Sequence, residues 1–301
     1  MPKQCKKGGR IAGAVALLLL FFSTLLIFIP VLFIGLLKLF PNKRWQARCT
    51  AAVDTIAMVW SHFNNRYIQL ARLTQWKMSG VTDFNPKDWH LVVANHQSWL
   101  DIVILQRVFN RKIPVLKFFI KDQLKWVPLL GFSWWAMGCP FMKRYSKEYL
   151  AKNPHKKGKD LEATAKAMEL FKFTPVSIMS FVEGTRYSAK KNQLQNAPYQ
   201  HLLKPKAGGL QFVIHTMGQQ FSHVLDVTIV YSEKSHSLWD FLCGRIRVVR
   251  VHVRNIPIPK EFSLPGLDES KQAQFRNWLN QRWLEKDELI TELKLNHQGS
   301  H

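Results

Sequence analysis

Leu91-Val92-Val93-Ala94-Asn95-His96-Gln97-Ser98-Trp99-Leu100-Asp101 opens as an apolar run, turns polar at Asn95 and ends where an amphipathic pattern begins. The run predicts a buried strand, and Ser98 to Phe109 predicts a helix after it. Between them stand a histidine and an aspartate five positions apart. A neutral imidazole takes a proton from a hydroxyl at physiological pH, and a carboxylate on its other nitrogen fixes the tautomer and steadies the imidazolium. Five residues of straight helix rotate by about 500°, so the two side chains meet only if His96 lies in the turn and Asp101 in the first helical turn. The same residues serve a plainer purpose. Ser98 and Asp101 fit an S-x-x-D helix start, with Ser98 as N-cap and Asp101 at the positive helix end. The spacing is compatible with both roles. It also recurs at His155 and Asp160, in a basic run with no strand before it, which reads as loop.

Outward from this segment, strand-like runs recur at His90 to Ala94, Val115 to Ile120, Val176 to Val182, His223 to Tyr231 and Arg247 to Val253. Helical patterns separate them, clearest at Ser98 to Phe109 and Asp160 to Phe173. The alternation predicts an α/β fold, a mostly parallel mixed sheet flanked by helices, whose ligands gather at the carboxyl ends of the strands. Trp126 to Met142 is a second uncharged stretch, of 17 residues, and reads as a buried or interfacial element rather than a span. A final helix is expected over Glu269 to Leu295, burying Phe275, Leu279, Trp283, Ile290 and Leu293.

From Ile11 to Leu37 no residue is charged. As a straight helix this stretch reaches about 40 Å against a hydrocarbon core of about 30 Å, which predicts an N-terminal membrane-embedded helical segment. Lys3, Lys6, Lys7 and Arg10 precede it, and Lys38, Lys43, Arg44 and Arg48 follow, so the distribution of cations selects no orientation. A re-entrant reversal near Pro30 would keep both flanks in the cytosol and is the expected course, with a tilted, kinked span as the alternative and an amphipathic interfacial helix over Trp45 to Phe63. The expected organisation is an anchor over 1–64, a catalytic domain over 65–296 and a tail over 297–301, with that domain facing the cytosol from the inner face of a membrane.

A net charge of +23 demands an anionic partner. Eleven Trp and the apolar N-terminus favour a phospholipid membrane over nucleic acid. Cys5, Cys49, Cys139 and Cys243 show no C-x-x-C spacing and are expected reduced. No group of His, Cys and acidic residues has ligand spacing, so neither metal nor bound cofactor is expected.

Two further segments carry chemistry. Val182 leads into Glu183-Gly184-Thr185-Arg186, which can accept from a hydroxyl, let backbone approach a ligand, and present a planar fork to phosphate. Gly138-Cys139-Pro140-Phe141-Met142-Lys143-Arg144 places two cations after an apolar edge. In this order the three segments resemble the glycerolipid acyltransferase family that includes the lysophosphatidic acid acyltransferases. Its blocks N-H-x4-D, G-x-x-F-x-x-R and E-G-T-R match Asn95, His96 and Asp101, then Gly138, Phe141 and Arg144, then Glu183 to Arg186. The resemblance covers roughly Trp89 to Tyr231. Val182 stands where many members have proline, and Leu225 to Tyr231 lacks the proline of their fourth block. With Tyr187-Ser188, this looks most like the lysocardiolipin and eukaryotic-type lysophosphatidate branch and its bacterial relatives.

The resemblance implies a glycerol-phosphate acyltransferase-like fold with His96 as general base and Asp101 as its orienter. Arg144, Glu183, Gly184, Thr185 and Arg186 become acceptor-binding residues, with Lys143 assisting. The implied reaction is attack of a lysophospholipid hydroxyl on the thioester of acyl-CoA or acyl carrier protein as co-substrate. Ser98 and Cys139 are the rival nucleophiles, one fitting a cap and the other lacking a base beside it in sequence. A thioesterase using the same base on water, or a basic membrane-tethered binding protein, are the alternatives.

Overall fold

The structure is a computed structural model, and it describes residues 7–71, 73–142, 152–153, 165, 168–172, 174–218, 220–233, 237–263 and 269–295. Helices α1 (Lys7–Leu37) and α2 (Lys43–Ala71) come first. Strand β1 (Gln75–Gly80), β2 (His90–Ala94), helix α3 (Leu100–Phe109), β3 (Leu116–Phe118) and β4 (Ile120–Lys121) follow. Then come α4 (Leu130–Ala136), β5 (Phe141–Met142), β6 (Ser177–Ser180), α5 (Ala189–Leu194) and α6 (Ala207–Met217). Strand β7 (His223–Tyr231), α7 (Leu238–Leu242), β8 (Val248–Pro257) and α8 (Glu269–Leu295) complete the chain.

Six strands form one sheet in the order β1-β8-β7-β2-β6-β3. All neighbours run parallel except β7 and β8, which are antiparallel. The fold is therefore the expected α/β type. The centre of the sheet consists of the apolar runs: Leu91, Val92, Val93 and Ala94 are buried, as are Val224 to Tyr231. Continuous apolar sequence is what a strand covered on both faces requires. One face packs on α6 and α8 through Leu210, Val213, Phe275 and Trp283. The other packs on α3 through Leu100, Ile104 and Val108.

Two strand readings change. Val115 to Ile120 splits into β3, at the sheet edge, and β4, which pairs with β5 in a separate ribbon. Gln75–Gly80 forms a strand without an apolar pattern, because it is an edge strand with five of its six residues exposed. The helix expected over Asp160 to Phe173 falls mostly outside the described residues, as does the His155–Asp160 pair. In α8, Phe275, Leu279, Trp283 and Ile290 are buried as expected; Leu293 is half-buried, and Lys286 is wholly buried.

The expected reversal at Pro30 does not occur. Helix α1 continues through Pro30, and the chain turns back over residues 38–42 into α2. Packing holds the second half of α1 in line: Val31 sits with Val53 of α2 and Ala136 of α4, and a Cβ on Gly35 would lie 2.5 Å from Phe132. Toward the other end, a Cβ on Gly13 would lie 2.6 Å from Cys243 Sγ, just past α7, and Ala16 is in the core. Helix α1 thus lies against the rest of the fold at points about 33 Å apart along its axis. Its far side is bare, with Phe22, Leu26, Ile29 and Phe33 all more than 60% exposed. Gly9–Leu37 is long and apolar enough to cross a membrane.

Two buried lysines tie the hairpin to its neighbours, α4 and the sheet. Lys38 Nζ donates to the carbonyls of Trp135 and Ala136 at 3.0 and 2.9 Å, closing the end of α4. Lys117 of β3 pairs with Asp54 of α2 and donates to the Met137 carbonyl. Among the described residues, Cys49, Cys139 and Cys243 are buried and form no disulfide with one another.

Candidate active site

Strand β2 ends at Ala94, whose neighbour on β7 is Val227. In a parallel pair the next free N–H and C=O on β7 belong to Ile229, and Asn95 meets both. Its Oδ1 accepts from Ile229 N at 2.8 Å and its Nδ2 donates to Ile229 O at 2.9 Å. A side-chain amide thus extends the ladder one step beyond the strand, and Gln97 Nε2 adds a second donor to the same carbonyl at 2.8 Å. His96 lies between these two pins.

His96 Nδ1 is 2.8 Å from Asp101 Oδ2. Asp101 lies in the first turn of α3 and is wholly buried, whereas the His96 side chain keeps 16% of its surface. The same Oδ2 accepts from the backbone N–H of Gln97 at 2.6 Å and of Ser98 at 2.8 Å. Asp101 therefore closes the helix start and contacts the imidazole at once. The cap falls one residue later than expected: α3 begins at Leu100 after Trp99, and Ser98 Oγ accepts from Leu100 N at 3.1 Å. Asp101 Oδ1 accepts from the hydroxyl of Tyr231, at the end of β7. With Nδ1 held by the carboxylate, Nε2 is the nitrogen left to take a proton. The ring is stacked on Phe181, centroids 3.9 Å apart and planes within 15°, with Phe118 behind Phe181.

The Glu183–Arg186 turn follows β6, beside β2 in the sheet, so the two segments meet at one edge. Glu183 is wholly buried. Its Oε1 accepts from His96 N at 2.9 Å and its Oε2 from Leu203 N at 2.8 Å. Burial pushes its carboxyl up to about 7, against the pull of those two N–H donors and of Lys286. The other side of the His96 peptide is held too, since Tyr187 N donates to His96 O at 2.7 Å. Leu203 is in turn tied to α8: Trp283 Nε1 donates to Leu203 O at 3.1 Å, and Asp287 accepts from Gln200 N and His201 N, each at 2.7 Å.

Gly184 has φ +69°, the left-handed region that favours glycine, and a Cβ there would lie 3.1 Å from Lys206 Cδ. Thr185 Oγ1 accepts from Lys191 Nζ at 2.8 Å. The exposed Arg186 guanidinium lies 5.7 Å from the centre of the Trp99 ring, beside His96. Arg186, Lys191 and Lys206 thus lie about the turn, while Glu183 faces inward. Lys143 and Arg144 lie outside the described residues. Gly138 and Phe141 lie on the α4–β5 segment that packs beside the hairpin, with Gly138 at φ +75°. Of the rival nucleophiles, Ser98 Oγ is engaged in the helix start, and Cys139 is buried with its thiol pushed up by desolvation. No group of three or more His, Cys, Asp or Glu that would hold a metal occurs among the described residues.

Gln97, Tyr231 and Leu203 were not legible in the sequence as parts of the site, and Asn95 entered only as the first residue of the N-H-x4-D block. Asn95 and Tyr231 had a signal, in that each stands at the last residue of an apolar run or just after one, where the strand order brings them together.

A family model described as Acyltransferase matches residues 75–232. The chain is 27% identical over 227 residues to a Mus musculus protein named 1-acyl-sn-glycerol-3-phosphate acyltransferase epsilon, covering 67% of this chain and 57% of that protein. It is 26% identical over 252 residues to an uncharacterized acyltransferase of Schizosaccharomyces pombe, covering 75% of this chain and 65% of the yeast protein. The chain thus spans little more than half to under two thirds of these relatives' lengths. Among solved structures, the 1-acyl-sn-glycerophosphate (LPA) acyltransferase PlsC of Thermotoga maritima superposes with a TM-score of 0.51 at 16% identity, covering 92% of this chain and 97% of that one. At that identity the likeness is one of fold.

Proposed function

The chain belongs to the acyltransferase family, and from that premise we propose that it moves a fatty acyl group from a thioester donor to the free hydroxyl of a lysophospholipid, with His96 as general base. The observation that carries this reading is the contact of His96 Nδ1 with a buried carboxylate at the carboxyl edge of the sheet, beside Arg186, Lys191 and Lys206. Nε2 takes the hydroxyl proton as the oxygen attacks the thioester carbon. The tetrahedral oxyanion then collapses, the C–S bond breaks, and the proton passes from the imidazolium to the departing thiolate. The donor is already activated, so a positioned base suffices and no covalent enzyme intermediate is required.

The acceptor carries phosphate, and Arg186 offers it a planar fork, with Lys191 and Lys206 nearby. Arg144 and Lys143 are assigned to the same phosphate by resemblance. The mouse relative's name supports lysophosphatidic acid as the first acceptor to try, and acyl-CoA or acyl carrier protein fits as the donor. The bare side of α1 supports placing the hairpin in one leaflet of a phospholipid membrane. A helix held to the domain at both Gly13 and Gly35 leaves its basic flanks on a single side, facing the cytosol. Acceptor and product then remain in the lipid while the donor arrives from water.

Purified protein in mixed micelles, given acyl-CoA and a panel of lysophospholipids, is expected to form diacyl product. His96→Ala should reduce that rate by about 100-fold or more, as loss of a general base does. Equal product from both proteins would overturn the assignment, and thiol release that does not respond to lysophospholipid would show a thioesterase instead.

A further inference from the structure

Four groups donate to the Asp101 carboxylate among the described residues. Three come from its own turn, His96 Nδ1 and the N–H groups of Gln97 and Ser98, all on Oδ2. The fourth is the hydroxyl of Tyr231, 130 residues away, which alone of these meets Oδ1. The placement follows from the register of β7. Asn95 and Gln97, on either side of His96, both bind the backbone of Ile229, which fixes Tyr231 two residues further along on the same face. Tyr231 is buried to 6% exposure, and its phenol is held well above its usual range by burial and by Asp101.

We propose that Tyr231 is a positioning residue for the His96 base, one whose hydroxyl sets how strongly Asp101 pulls on the imidazole. A carboxylate with several donors has its charge spread over them, and each donor removed leaves it a stronger partner for the one that remains. Tyr231 meets the oxygen turned away from His96, so it touches no reacting atom and acts through Asp101. The other charged and titratable groups around the pair, among the described residues, are Glu183, on the His96 peptide, and Arg186, over Trp99; Lys286 of α8 acts on Glu183 from behind. None of them contacts Asp101 Oδ1. The inference rests on His96 being the base of the transfer reaction.

The test compares the pH dependence of kcat/KM in the wild type and Tyr231→Phe, which removes one oxygen and keeps the ring. It is paired with the pH titration of the His96 ring proton resonance in the same micelles. The phenylalanine variant is expected to move the rising limb and the His96 titration to higher pH together, by about half a unit or more. Site-specific 3-fluorotyrosine at 231, a stronger donor, should move both to lower pH. Glu183 titrates in the same region in every variant, so the difference between variants is the readout. A His96 titration that stays in place in Tyr231→Phe overturns the proposal, whether or not the plateau rate falls. If the wild type transfers no acyl group, the reading of His96 as base fails separately, and the resonance still decides whether Tyr231 tunes it.

Discussion

Replacing Glu183 by glutamine should change how stability depends on pH, and the magnitude follows from burial. The carboxyl is wholly enclosed, and desolvation raises it from 4.5 to about 7. A folded state that binds a proton more tightly than the unfolded chain gains stability that is complete below the unfolded value, near 4.5. That gain disappears as pH rises through the folded value, near 7. The 2.5 units between these values correspond to about 3 kcal/mol at about 1.4 kcal/mol per unit. The glutamine amide has no proton to lose and escapes this slope. It carries a separate, pH-independent cost, because its NH2 faces either His96 N–H or Leu203 N–H and leaves that donor unpaired, at about 1–3 kcal/mol. At about pH 4.5 the wild type should therefore be the more stable. By about pH 8 its advantage should have shrunk by about 3 kcal/mol, enough to bring the two level or reverse them. Urea unfolding of both proteins in one detergent, from about pH 4.5 to about pH 8, measures the difference directly. A gap that stays constant within about half a kcal/mol over that range would refute the reasoning.

Other substitutions probe the rest of the site and the hairpin. Asp101→Asn should lower kcat by about 100- to 10,000-fold, since an amide cannot select the same tautomer, while the KM for lysophospholipid stays near that of the wild type. Gly184→Ala, at φ +69° against Lys206, should cost about 1–2 kcal/mol in thermal or urea unfolding. Lys117→Met leaves Asp54, whose side chain keeps 17% of its surface, without its cation and should cost about 3 kcal/mol, whereas Lys117→Met combined with Asp54→Leu should recover most of that. Gly35→Leu would force α1 away from Phe132 and should make the hairpin more sensitive to limited proteolysis, without the loss of rate seen for Asp101→Asn.

What was legible in the sequence was local or periodic. The strand at Leu91 to Ala94 and the helix after it follow from pattern, and the His96–Asp101 contact lies within one turn. Glu183 shows where such reading ends. Its type and its place before Gly184 suggest an acceptor ligand, but its partners are backbone N–H groups at residues 96 and 203, which carry no signature in residue type. Lys286 and Lys117 are hidden for the opposite reason. Lysine reads as surface, yet Lys286 is enclosed against Asp226 and the Val227 carbonyl, and Lys117 against Asp54. Pro30 reads as a break, but packing on α2 and α4 outweighs one lost backbone hydrogen bond. Strand β1 has no apolar alternation because, as an edge strand, it packs only Trp76 against the core.

The links from Trp283 to Leu203, from Leu203 to Glu183 and from Glu183 to the His96 peptide run from the last helix of the chain back to its first third. During synthesis the His96 turn would exist long before the helix that braces it, and contacts between such distant residues form late in folding. A growing chain would thus hold the His96 turn unset until α8 docks. Docking of α8 and setting of that turn become the same event.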